Sequence, residues 1–278
     1  MEFPFTEIKP VGGDTMSKKA LCIGINDYPG TDSDLSGCVN DAADWAAELG
    51  KRGYEVAKML DKKATHAAMT KAIGGLIKDA KKGDTLIITY SGHGTWVPDS
   101  SGDEPDGRDE GLCPYDIGSV GPLLDDDIRA MFSRRGAGVR IILISDSCHS
   151  GTVTRGREDD LDPGMPHARF LPLEAWMPKG ELPRSAARPI SLVSGLRRTG
   201  SDLLLAGCMD TEYSWDTSFQ GRPNGAFTYY ALKSLRDAKP ATYGAWFNAI
   251  RSYLPSTKLP QSPQILGSAV AQRFKVFE

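Results

Sequence analysis

Cysteine is scarce in this sequence, and its spacing rules out one whole class of small, stapled folds. The five cysteines, Cys22, Cys38, Cys113, Cys148 and Cys208, are odd in number, widely separated and include no CxxC pair. That is not a disulfide framework, and reduced thiols in a cytoplasmic setting are the expectation. Long apolar runs are also missing, so no segment reads as a membrane span. The first seven residues lack the basic start and apolar core of a signal peptide. A large charge of one sign is absent too: the net charge of −3 gives no reason to expect nucleic acid or an anionic membrane as partner. What charge there is falls unevenly. Residues 99–127 are rich in Asp and Glu, whereas residues 179–198 carry Lys179, Arg184, Arg188, Arg197 and Arg198.

With 40% hydrophobic and 25% charged residues, the chain has the composition of an ordered globular protein and can bury a substantial core. Residues 1–17 read as a short N-terminal arm, and residues 18–278 as one α/β domain. Ala20–Ile25 is a first buried strand. Apolar residues then recur at helical spacing from Leu35 to Arg52, closed by Gly53. A strand over 54–60 and a helix over 66–80 capped by Thr65 follow, then a strand over 85–89. A short helix over 124–134, a strand over 139–144, a strand over 202–208 and helices over 225–238 and 242–253 complete the pattern. This alternation predicts a mainly parallel central sheet flanked by helices. The proline-rich, charged stretch 152–200 reads as a long loop dividing a larger part (18–151) from a smaller one (201–278).

Two short motifs carry the chemistry. Ser91-Gly92-His93-Gly94 and Asp146-Ser147-Cys148-His149-Ser150-Gly151 each follow a run of β-branched and apolar residues. Parallel strands ending in these motifs would place an imidazole and a thiol at one edge of the sheet, where open α/β sheets bind their ligands. Thiol beside imidazole is the minimum for nucleophilic catalysis by cysteine. The expectation is a cysteine hydrolase, with a peptidase as the first reading.

The sequence resembles the caspase-like peptidases, and within them the metacaspases and their prokaryotic relatives. The matching pieces are Cys22–Asn26, Leu35–Ala42, Tyr90–Gly94, Asp103–Gly107 and Asp146–Gly151, five motifs in order over about residues 19–151. The glutamine-alanine-cysteine signature of true caspases is absent; Asp146-Ser147-Cys148 stands in its place. The resemblance implies that Cys148 is the nucleophile and His93 its acid–base partner, with backbone N–H groups at Gly94 and Cys148 as the oxyanion hole. It further implies an S1 pocket lined by Cys38, Asp41, Ser91 and Asp146. Two carboxylates in a narrow pocket favour a cation and repel an acidic side chain, so cleavage after Arg or Lys is expected. Asp146, two residues before Cys148, shares its side-chain direction if the strand continues.

By the same resemblance Asp109, Asp125 and Asp126 match calcium ligands, making calcium an activator while the chemistry itself needs no cofactor. Arg155 stands where the family has a further Asp, so Glu158, Asp159 or Asp160 would have to replace it. The acidic run 125–127 also reads as a helix start opposing the dipole. Arg184, Arg188, Arg197 and Arg198 are the expected points of autoprocessing. The partners expected are protein or peptide substrates with a basic P1 residue, and the enzyme is expected to be a monomer. Two other classes fit the same residues: a caspase-fold binding module without turnover, and a small-molecule amide or ester hydrolase.

Overall fold

The computed structural model describes residues 16–99, 108–148, 166–182, 202–209 and 211–278. In chain order the elements are β1 (Lys18–Gly24), α1 (Cys38–Lys51), β2 (Glu55–Leu60), α2 (His66–Lys78), β3 (Thr85–Ser91), β4 (Gly94–Pro98) and β5 (Arg108–Leu112). Next come α3 (Ile117–Val120), β6 (Leu123–Leu124), α4 (Asp125–Ser133), β7 (Arg140–Asp146), β8 (His167–Ala168) and α5 (Leu173–Trp176). The last third holds β9 (Leu203–Ala206), β10 (Trp215–Phe219), β11 (Arg222–Gly225), α6 (Ala226–Ala238), α7 (Tyr243–Arg251) and β12 (Gln264–Leu266).

Six strands form the central sheet in the order β12-β9-β7-β3-β1-β2, all parallel except the antiparallel β12 at one edge. The strands are apolar on both faces because helices cover both faces. Leu21, Ile23, Leu86, Ile88, Ile141 and Leu143 point to one side, against Met69, Ile73 and Leu76 of α2 and Ile128 and Phe132 of α4. Their neighbours Ala20, Cys22, Ile87, Ile142 and Ile144 point to the other, against Trp45 and Leu49 of α1, Phe227 and Leu235 of α6 and Trp246 of α7. This strict alternation is the period-two geometry of a pleated strand.

The helix ends follow local chemistry. The Thr65 hydroxyl accepts from the Ala68 N–H to start α2, and Gly53 at φ +82 follows the end of α1 in a left-handed conformation that suits glycine. Two small antiparallel sheets, β4-β5-β6 and β11-β10-β8, flank the carboxyl edge of the main sheet. The loop reading of 152–200 does not hold for residues 166–182. There β8 pairs with β10 and α5 packs down, because Leu171 and Leu173 are buried in the core.

Register fixes the functional edge. Gly24 of β1 lies opposite Ser91 of β3, and Ser91 lies opposite Asp146 of β7. The last residues of three central strands therefore stand in one row, and the chain leaves β3 and β7 toward His93 and Cys148.

Candidate active site

His93 sits in a turn between β3 and β4 that two tyrosines hold rigid. Its N–H donates to the Tyr28 hydroxyl at 2.7 Å, and the Tyr90 hydroxyl donates to its carbonyl at 2.6 Å. The Tyr28 ring also lies 4.7 Å from the imidazole, centroid to centroid. A Cβ on Gly92 would fall 2.6 Å from both hydroxyl oxygens, so only glycine fits there. Nε2 lies 2.6 Å from the Ser33 carbonyl, which makes it the protonated nitrogen and leaves a lone pair on Nδ1. Buried Nδ1 has no hydrogen-bond partner, and the Arg169 main chain lies beside the ring.

Burial pulls the His93 pKa down to about 4; the Ser33 carbonyl opposes this and the Arg169 guanidinium adds to it. The folded value is depressed below the unfolded one near 6.5, so the unfolded chain binds the extra proton between them. His93 thus contributes stability that is complete above pH 6.5 and lost as pH falls through 4, on the order of 3 kcal/mol. Chemical denaturation of the wild type and His93→Asn from pH 4 to 6.5 checks this. Their stability difference should grow with pH by that amount, and a constant difference would contradict it.

Cys148 lies just beyond β7, where the Ser145 and Ser147 hydroxyls bond at 2.7 Å. Its Sγ receives the Ser214 N–H at 2.5 Å and sits 3.4 Å from the Ser214 carbonyl. The N–H groups of Gly94 and Cys148 both donate to one oxygen, the Arg169 carbonyl, each at 3.0 Å. The imidazole and the Cys148 main chain thus both adjoin the main chain of Arg169, and the thiol adjoins Ser214, whose carbonyl accepts the Arg169 N–H.

The Arg169 side chain enters a pocket of three carboxylates. Nη2 lies 2.7 Å from Asp41 Oδ2 and 2.8 Å from Asp216 Oδ1, and Nη1 lies 3.2 Å from Asp146 Oδ2. All four side chains are buried. Burial alone would lower the guanidinium pKa, but Asp146, Cys38, Asp41 and Asp216 hold it well above its ordinary value. Burial raises Asp41 to about 6, with Arg169 opposing and Asp146 reinforcing the shift.

The start of α6 supplies the donors that keep these carboxylates in place. Gly225 N–H donates to Asp41 at 3.0 Å, and Thr228 N–H to Asp146 at 2.9 Å. Two anions at a helix N-terminus are favoured by its unpaired N–H groups and dipole. Ser214 Oγ donates to Asp146 Oδ1 at 2.5 Å, so Asp146 and Cys148 converge on the same residue. A Cβ on Gly225 would fall 2.4 Å from Arg169 Nη1, so the pocket needs glycine at this position to admit a guanidinium.

Of the pocket residues expected from sequence, Asp41 and Asp146 bind the cation directly. Buried Ser91 stands beside Asp146 in the sheet register, and buried Cys38 begins α1 within electrostatic reach of Arg169. Sequence reasoning missed Asp216, Asn224 and Arg169. Asp216 also accepts from the N–H groups of Ser36 and Gly37, and Asn224 donates to Asp41 at 2.9 Å. The available signal for Arg169 was the apolar run Phe170-Leu171-Pro172-Leu173 after it, out of place in a solvated loop.

Of the residues expected to bind calcium, the structure describes Asp109, Asp125 and Asp126. Asp109 on β5 and Asp125 at the start of α4 are buried, while Asp126 is paired with Arg129. Among the described residues, no group of three His, Cys, Asp or Glu side chains is placed to hold a metal ion. Arg155, Glu158, Asp159 and Asp160 lie outside the described residues, as do Arg184, Arg188, Arg197 and Arg198.

Residues 18–155 match the family model described as metacaspase, peptidase C14 domain. The chain is 33% identical to metacaspase-1B of Aspergillus oryzae over 90% of its own length and 68% of that protein's. It is 32% identical to metacaspase-1 of Mycosarcoma maydis, over 90% of this chain and 70% of the relative. A crystal structure of a Geobacter sulfurreducens protein superposes with a TM-score of 0.69 at 30% identity, covering 94% of this chain and 98% of that one. With the fold, the paired motifs and these relatives in agreement, the chain belongs to the metacaspases, a family of cysteine peptidases.

Proposed function

We propose that this metacaspase is an endopeptidase that uses His93 and Cys148 to cut peptide bonds after Arg, and after Lys less well. The observation that carries this reading is the seating of Arg169. A cationic side chain fills the carboxylate pocket while the carbonyl of the same residue accepts two N–H donors beside the thiol. Those are the two things a P1 residue must do at once: be selected by its side chain and present its carbonyl to nucleophile and oxyanion hole.

The chemistry follows from the atoms present. His93 Nδ1, unprotonated because Nε2 donates to Ser33, takes the Cys148 thiol proton. The thiolate attacks the P1 carbonyl carbon, and the N–H groups of Gly94 and Cys148 hold the resulting oxyanion. His93 returns the proton to the leaving nitrogen, and water then hydrolyses the thioester. An acidic P1 residue would meet Asp41, Asp146 and Asp216 unpaired and is rejected by like charge. No step passes through calcium.

The enzyme is taken to act on proteins as a monomer, and its five buried cysteines without disulfide partners fit a reducing, cytoplasmic compartment. The test is hydrolysis of matched fluorogenic peptides ending in Arg, Lys or Asp, with calcium and with chelator. Turnover of Arg and Lys peptides alone is expected. Turnover of the Asp peptide would overturn the pocket, and no turnover under any condition would favour a binding module.

A further inference from the structure

We infer that the first bond this enzyme breaks is its own Arg169–Phe170 peptide, held in the cleft as a substrate in cis. The inference rests on the function proposed above and adds to it the bond, its position in the chain and what its cleavage releases.

Three separate contacts converge on Arg169. Its guanidinium is held by three buried carboxylates. Its carbonyl oxygen receives the Gly94 and Cys148 N–H groups, each at 3.0 Å. Its own N–H donates to the Ser214 carbonyl at 2.9 Å, extending the antiparallel pairing of β8 with β10. An arginine present only to neutralise carboxylates needs the first contact and neither of the others. Added-strand pairing with alternate side chains in pockets is how clefts hold extended peptides.

The chain is gripped beyond the bond as well. Phe170 bridges to Gly94, and the Leu171 N–H donates to the Gly94 carbonyl at 2.9 Å. Leu171 and Leu173 are buried, and the Trp176 indole N–H reaches Thr95 Oγ1 at 3.3 Å. The peptide is therefore fixed on both sides of residues 169 and 170.

Cleavage proceeds as follows. Cys148 Sγ, its proton passed to His93, bonds to the Arg169 carbonyl carbon. The bond to the Phe170 nitrogen breaks as His93 delivers that proton to it. One water then splits the thioester, giving a carboxylate on Arg169 and restoring the thiol. The Phe170 end stays docked through Leu171 and Leu173. Among the described residues, the Arg169 end is held by its two-residue strand, its main-chain hydrogen bonds and its ion pairs, and it can exchange for a basic residue of another protein.

Intact mass and N-terminal sequencing of the wild type, Cys148→Ala, Arg169→Lys and Arg169→Gln, each in calcium and in chelator, test this. The wild type should acquire an N-terminus at Phe170, at a rate unchanged over a 100-fold range of protein concentration. Cys148→Ala should stay joined, Arg169→Lys should still be cut, and Arg169→Gln should stay joined at that bond. A wild-type chain that stays whole at 169–170, is cut only after other residues, or is cut faster at higher concentration overturns the proposal. Arg-peptide turnover by a chain that stays whole there would leave the proposed function standing and remove only this step. Loss of both would remove both.

Discussion

Cys148→Ala is expected to lower kcat/KM on an Arg-terminated peptide by about 10,000-fold or more, with His93→Ala costing nearly as much and the double variant little more. Nucleophile and base act as one unit, so their losses do not add. Three of the other described thiols are not suited to take over. Cys22 is pushed up to about 12, chiefly by burial, and burial likewise raises Cys38 and Cys113. The thiolate is the reactive form, so these groups are inert near neutral pH. Retention of activity within tenfold of the wild type would place the nucleophile elsewhere.

Asp146→Asn should lower the ratio of Arg-peptide to norleucine-peptide hydrolysis by roughly 100- to 1,000-fold. Breaking one arm of a buried, hydrogen-bonded charge cluster typically costs about 3–5 kcal/mol. Asp146 is tied on three sides, by Ser214 Oγ, the Thr228 N–H and the guanidinium, so the pocket cannot relax to replace it. Taking the ratio of two peptides cancels any change in the fraction of active enzyme. Asp216→Asn should hit Arg peptides harder than Lys peptides. Asp41 and Asp216 share Nη2 while Asp146 holds Nη1, a fork that a single ammonium cannot reproduce. Equal losses on Arg and Lys peptides would mean that Asp216 only supports the loop at Ser36 and Gly37.

The parts of this protein legible in sequence are those where local pattern and burial agree. The apolar runs of β1, β3 and β7 are long because both faces of each strand are covered, and their alternation survives into two separate clusters. His93 and Cys148 could be located because each follows such a run, His93 between two glycines and Cys148 three residues before Gly151. The small sheets escaped notice: β10 reads Trp-Asp-Thr-Ser-Phe and β11 reads Arg-Pro-Asn-Gly, short and polar enough to pass for turns. Asp216 and Arg169 were hidden for a different reason. Arg169 lies 128 positions from Asp41 and 47 from Asp216, and nothing near any of them announces a partner. A buried ion cluster is written in the topology, which brings β8, β10 and α1 together, and not in any one segment.

The donors from the start of α6 also set an order of events during synthesis. Strands β3 and β7, with His93 and Cys148, leave the ribosome well before Gly225 and Thr228, and N-terminal portions of a chain generally fold first. Until those two residues arrive, Asp41 and Asp146 lack the N–H groups that hold them in the pocket. A nascent chain therefore carries Cys148 before it carries the donors that hold Asp41 and Asp146 in place. Translation order thus leaves the carboxylate pocket unfinished until the last third of the chain has emerged.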